Sequence, residues 1–155
     1  MPGLKGRFFE LVLGLKSIWT AYTATNETTD IAAAKVIVPA KPPAGTVYRV
    51  KLAGSKSGAN AAFTVTLKLG ATQVITLTSD DGSAVDWCAE IMLMITSSNT
   101  QKVYGSLLLN TADPEVDYAA GTVDLTAGAE LVPQITSGHA SDTVTCEMCT
   151  VEFGP

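Results

Sequence analysis

The chain has 155 residues and a formal net charge of −5 at pH 7, a length that suits one domain with a single buried core. Hydrophobic residues make up 46% and charged residues 16%, which excludes a disordered chain. The acidic body also excludes nucleic-acid binding, because gripping phosphates takes clustered Lys and Arg. So low a share of charge implies that much of the surface faces other protein. The three cysteines, Cys88, Cys146 and Cys149, make no disulfide framework, since an odd count leaves a thiol over. They read as buried, reduced side chains from a reducing compartment of synthesis.

The first element in chain order is "MPGLKGRFFELVLGLKSIW". Its basic start and apolar run suggest a secretory signal, but Glu10 and Lys16 interrupt the run and no A-x-A site follows cleanly. A membrane span needs about 20 predominantly apolar residues, and this run is too short and too charged. Phe8, Leu11, Val12, Leu15, Ile18 and Trp19 recur at helical spacing. Gly6 and Gly14 each weaken an isolated helix by about 1 kcal/mol relative to Ala. The segment is therefore expected to be an arm or short helix that is stable only when docked. The expected organisation is an anchoring arm over residues 1–22 and a β-sandwich domain over residues 23–155.

From Tyr22 onward the period drops to two. "KVIVPA" is a short strand closed by proline. "VYRVKLAG" turns Tyr48, Val50 and Leu52 inward, and "FTVTLKLG" does the same with Phe63, Val65, Leu67 and Leu69. "TQVITLTS" follows, ahead of the turn "DDGS". "VDWCAEIMLMIT" places Val85, Trp87, Ala89, Ile91, Leu93 and Ile95 on one face. Cys88, Met92 and Met94 share the other face with Asp86 and Glu90. Both faces are partly apolar, so Met92 and Met94 are expected at a subunit interface. "KVYGSLLLN", "GTVDLTAG" and "AELVPQITS" add three strands, with Pro133 arguing for an edge position in the last. In "DTVTCEMCTVEF" the alternation changes phase, which calls for a bulge near Met148. Eight or so strands with Gly, Pro, Ser, Asn and Asp turns spell an all-β fold, a jelly-roll-like β-sandwich.

Catalytic chemistry is hard to assemble from these residues. His139, the one histidine, stands in "SGHASD", where Ser, His and Asp are loop neighbours rather than a triad across a pocket. Cys146 and Cys149 form C-x-x-C, yet a regular strand points residues three apart to opposite faces, and only a bulge would bring the thiols together. No second such pair exists to complete a zinc site. The acids of "SDDGS" and "TADPEVD" lack the EF-hand spacing and read as solvated turn residues. The glycines match no phosphate loop, and the sequon at Asn26 matters only in a secreted chain. No cofactor, metal or catalytic residue is assigned, and an enzyme is not expected.

The order of phrases resembles a recurrent domain of tailed-phage virion proteins. The pieces that carry the likeness are Val38-Pro39-Ala40, Ala44-Gly45, Tyr48-Arg49-Val50 with Gly54, "TVTLKLG", the Trp strand "VDWCAEIMLMITS", and Thr122-Val123-Asp124 through Glu152. They span most of residues 23–153. The resemblance implies a jelly roll, commonly trimeric, in capsid decoration (cement) proteins, head fibres and tail fibres, with no catalytic residues to transfer. The implied partners are copies of the chain itself, as a homotrimer, and the major capsid protein, with no nucleic acid and no membrane. The implied location is the outer surface of the virion, after synthesis in the host cytoplasm. The first 22 residues fall outside the pattern, and Phe8, Phe9, Leu11, Leu15, Ile18 and Trp19 are expected to anchor the protein to the capsid or a neighbouring subunit. The rival reading is a receptor- or glycan-binding module at a phage tail, for which Tyr104 and Tyr118 are the aromatic candidates.

Overall fold

The computed structural model describes residues 14–79, 82–110 and 114–154. Twelve strands form among them: β1 (Gly14–Ile18), β2 (Tyr22–Thr25), β3 (Thr28–Asp30), β4 (Val36–Val38), β5 (Val47–Ser57), β6 (Phe63–Leu69), β7 (Thr72–Thr78), β8 (Val85–Ser97), β9 (Thr100–Leu109), β10 (Glu115–Gly121), β11 (Ala129–Ser137) and β12 (Thr143–Gly154). A single 3-10 turn, Ala32–Ala34, joins β3 to β4.

The strands make two antiparallel sheets. One runs β1-β12-β5-β8-β9-β10, with β2 continuing the line of β1 along β12, and the other runs β3-β11-β6-β7, with β4 continuing β3 along β11. Counting each tandem pair as one strand leaves the eight strands of two interlocked Greek keys, with the β9–β10 hairpin added beyond β8. The fold is an all-β jelly-roll sandwich.

The pleat explains the core. Tyr48, Val50 and Leu52 on β5, and every second residue of β8 from Val85 to Ile95, are buried. They face Phe63, Val65, Leu67 and Leu69 on β6. Phe63 meets Trp87 across the layers at 5.5 Å between ring centroids. Gly105 keeps the layers close, because a Cβ there would lie 3.0 Å from Ile75 and 3.1 Å from Leu77. The bulge is present: the β12–β5 register shifts between Cys146 and Met148. Val144 and Cys146 point inward before it, and Cys149 and Val151 after it.

Four expectations change. The helical spacing over Phe8–Trp19 is not a helix in its described part: Gly14–Ile18 is an edge strand paired with β12 from Phe153 to Cys149. Backbone pairing on an open sheet edge outweighs the weak helix propensity of a stretch that contains Gly14. Leu15 and Ile18 are thus part of the sandwich sheet, and a boundary at residue 22 falls at the start of β2. Phe8, Phe9 and Leu11 lie outside the described residues.

Residues 122–128 form a loop rather than a strand. Gln101, 1% exposed, donates to the Val123 carbonyl at 2.8 Å and accepts from the Val123 amide at 2.9 Å, so a side chain satisfies the backbone that a neighbouring strand would have paired. The strand here is β10, which includes the acids Glu115 and Asp117 that read as turn residues. Pro133 is also not at an edge. β11 lies between β6 and the β3/β4 line, and Pro133 falls opposite the gap where the chain leaves the sheet between β3 and β4. Its carbonyl accepts from Ile31 at 2.9 Å, and its missing N–H faces that same gap.

One end of the sandwich is tied by a buried ion pair. Lys56, at the inward phase of β5, sits 3.2 Å from Asp142, with side chains 0% and 1% exposed. Lys56 also donates to the carbonyls of Gly58, Gly82 and Ser83. Asp142 accepts from the Asn60 amide at 3.1 Å, the Asn60 side chain at 2.7 Å and the Ala61 amide at 2.8 Å. Two charges out of water are tolerated because nearly every donor and acceptor is used. Burial by itself would raise the Asp142 pKa, but the hydrogen bonds from Asn60, Ala61 and Lys56 prevail and hold it well below the usual carboxylate value of 3.8. A carboxylate whose folded pKa is depressed contributes stability that is complete well above its unfolded pKa and is lost as pH falls below it. The urea midpoint is therefore expected to drop from pH 7 to pH 3 by more in the wild type than in Asp142→Asn, and equal drops would exclude this role for the pair.

Candidate functional site

The seven-stranded sheet has an outer face as well as an inner one, and its register lays that face out row by row. In one row Tyr118, Tyr104, Met92, Arg49, Glu152 and Leu15 stand side by side from β10 to β1. The next row holds Val116, Ser106, Glu90, Lys51, Thr150 and Ser17. Flanking rows hold Leu108, Cys88, Ala53 and Met148 on one side, and Ala120, Lys102, Met94 and Val47 on the other.

This face is divided. Toward β5, β12 and β1 it is polar, with Arg49 opposite Glu152 and Lys51 between Glu90 and Thr150, an arrangement of opposite charges suited to water. Toward β8, β9 and β10 it is richer in apolar side chains and open, with Glu90, Ser106 and Lys102 set among them. Tyr118 is 61% exposed, Val116 57%, Leu108 49% and Tyr104 40%. Cys88 is exposed among them, against the expectation that all three cysteines are buried, because it lies on the outward phase of β8; Met92 and Met94 are half-buried on the same part of the face. Scattered surface hydrophobes need no explanation, but several large ones gathered on one part of one sheet face mark a contact surface.

Met92 and Met94 are thus brought together with Tyr104 and Tyr118 on one surface. Leu108 and Val116 belong to it and were missed, although in "KVYGSLLLN" Leu108 shares the alternating phase of Tyr104. Among the described residues the anchoring candidates do not join this patch. Ile18 is buried in the core, and Leu15 and Trp19, 62% and 75% exposed, stand at the far edge of the sheet.

The remaining candidates are placed as follows. His139 is exposed in a turn, where its Nδ1 accepts from the Ser141 amide at 3.1 Å. Ser137 donates to the Asp142 carbonyl at 2.8 Å, and the Asp142 carboxylate is held by Lys56 and Asn60. Asp124 accepts from the Thr126 amide at 2.8 Å, closing a local turn that lowers its pKa. The bulge in β12 turns Cys146 and Cys149 to the same buried inner face instead of letting them diverge. Burial pushes their thiols up to about 11 and about 12. Among the described residues no three His, Cys, Asp or Glu side chains are grouped to hold a metal ion.

No protein-family model matches the chain, and a search of curated proteins returns no match either.

Two measurements check the division of this sheet. In dilute native protein at pH 8, a thiol reagent is expected to modify Cys88 quickly and Cys146 and Cys149 only on unfolding; more than one fast thiol would contradict the burial described. Tyr104→Ser and Tyr118→Ser are expected to cost at most about 1 kcal/mol each in the monomer, since they remove exposed side chains. A larger loss would make these residues part of the core.

Proposed function

We propose that the chain is a bacteriophage virion structural protein, a capsid decoration (cement) protein that trimerises and binds the outer capsid surface to stabilise it. The observation that carries the reading is the apolar outer face of β8, β9 and β10. Covering it with protein removes four large exposed side chains from water, worth several kcal/mol at about 25 cal/mol per Å2. Association entropy offsets part of that gain. A closed trimer joins copies head to tail, so this face meets a different surface of the next copy. Attachment to a repeating lattice then multiplies a weak contact by the number of linked copies.

The sequence resemblance supports the same reading, because its fold expectation, the jelly roll, agrees with the strand order. Contact with the capsid falls to the exposed Leu15 and Trp19, which lie on the opposite edge from the self-association face and leave both usable at once. The location that follows is the outside of the virion. Among the described residues no helix is long and apolar enough to cross a membrane.

The second reading, a tail-associated receptor- or glycan-binding module, draws on Tyr104 and Tyr118, which stand in register and exposed. Aromatic rings of this kind also stack on sugars. Copy number separates the two: hundreds per particle for decoration, a small number set by tail symmetry for a fibre module.

The test adds purified protein to capsids of its own phage that lack it. Wild type is expected to bind and raise the temperature at which the capsid opens, Leu108→Glu to lose both effects through lost self-association, and Trp19→Ser to self-associate but bind weakly. Saturating binding by Leu108→Glu as a monomer would contradict the proposal. Point substitutions are needed because truncation at Tyr22 would delete β1 from the sheet.

A further inference from the structure

At the end of the sandwich away from the Lys56–Asp142 pair lies an apolar pit of about 270 Å3. Ile37 from β4, Pro42 and Pro43 from the following loop, Tyr48 from β5 and Phe153 from β12 wall it. Tyr48 and Phe153 are register partners and stack with ring centroids 5.7 Å apart. A cavity of about 150 Å3 holds a benzene molecule, so the pit has room for a phenol ring. Its proline walls are stiff, which lowers the ordering cost of filling it. Two wall side chains carry a hydroxyl. Thr46 donates its own to the Pro43 carbonyl at 2.8 Å. Tyr48 is 2% exposed, and among the described residues its hydroxyl has no hydrogen-bond partner. Burial pushes its pKa up, so at pH 7 it is a neutral donor in an apolar wall. A buried hydroxyl without a partner calls for a group that is apolar in body and polar at its tip.

The protein carries such a group on the face assigned to self-association. Tyr118 on β10 is 61% exposed. It does not reach the pit of its own chain. β10 is three strands from β5 in the sheet, about 14 Å at about 4.8 Å per strand, and Tyr118 stands on the opposite face from Tyr48. A second copy can present it. Charge favours the same match: the loop from Pro39 to Thr46 holds the exposed Lys41 and no acid, whereas β10 holds Glu115 and Asp117 and no base. The pit lies at an end of the sandwich and Tyr118 on a face, so the two surfaces do not point in opposite directions. Repeating such a contact turns the line of copies round, as a closed ring requires.

We infer that the pit is the surface that receives the outer face of β8, β9 and β10 of the next copy, with the Tyr118 ring seated against the Tyr48–Phe153 stack and its hydroxyl paired with that of Tyr48. This inference rests on the self-association reading and names the second half of that contact.

The test is sedimentation velocity of Ile37→Asp and Tyr118→Ser, apart and mixed. Ile37→Asp sets a carboxylate at the rim of an apolar seat, facing the acids of β10. It is expected to weaken assembly at least about thirtyfold and, because Ile37 is exposed, to keep the circular-dichroism spectrum of the wild type. Tyr118→Ser is expected to sediment as a single chain too. Mixed, the two are expected to form a species of two chains, since the intact pit of one takes Tyr118 of the other. A variant carrying both changes is expected to form no such species with either. Lys41→Glu, an exposed change, is expected to weaken wild-type assembly about fivefold at low salt and less at high salt. A trimer that survives both Ile37→Asp and Lys41→Glu, or a mixture that stays single chains, would overturn the inference and leave the self-association reading standing. A wild type that stays a single chain would overturn both.

Discussion

The structure depends on the two-residue period of β8. Six inward side chains, Val85, Trp87, Ala89, Ile91, Leu93 and Ile95, are all buried. A slip of one residue would expose them and drive Asp86 and Glu90 into the core, so the register has no freedom. The same constraint fixes what points outward. Cys88, Met92 and Met94 must lie on the outer face, and the register carries their rows into Leu108, Tyr104 and Lys102 on β9. The patch is therefore a consequence of core packing in its position, but not in its chemistry: nothing in the core requires Tyr104, Leu108, Val116 or Tyr118 to be apolar. That separation gives the proposed assembly face its argument.

The ends of the sandwich are finished in different ways. At one, Lys56 and Asp142 gather the β5–β6, β7–β8 and β11–β12 loops through charge and hydrogen bonds. Such a pair holds geometry more than it adds net stability, and losing one partner leaves the other charge buried. At the other end prolines and the Tyr48–Phe153 stack surround an apolar pit that opens to solvent. Side-chain chemistry thus differs along the sandwich as well as between its faces, which lets one small fold keep separate surfaces for separate contacts.

Much of this was legible in the sequence, for physical reasons. Alternation marks a strand buried on one face, so β5, β6, β8 and the phase change in β12 could be read directly. Met92 and Met94 stood out as apolar residues on a face that water would otherwise own. The sequence hid whatever depended on partners far along the chain. Five residues, Gly14–Ile18, fit a helix or a strand equally well, and only the open edge of β12 decides between them. Glu115 and Asp117 disguised β10, because edge strands tolerate charge. Pro133 pointed to an edge, when all it needed was a gap on its N–H side. Lys56 carried a signal that could have been used: it continues the inward phase of Tyr48, Val50 and Leu52, and an inward lysine needs a buried acid.

Sedimentation velocity over a wide concentration range, on the wild type and on the double variant Tyr104→Ser with Tyr118→Ser, tests the central claim most directly. The account requires a wild-type species of three chains and a variant that remains folded but sediments as one chain. A wild type that stays a single chain throughout, or a variant that still assembles, would show that the apolar face of β8, β9 and β10 is not what joins the copies.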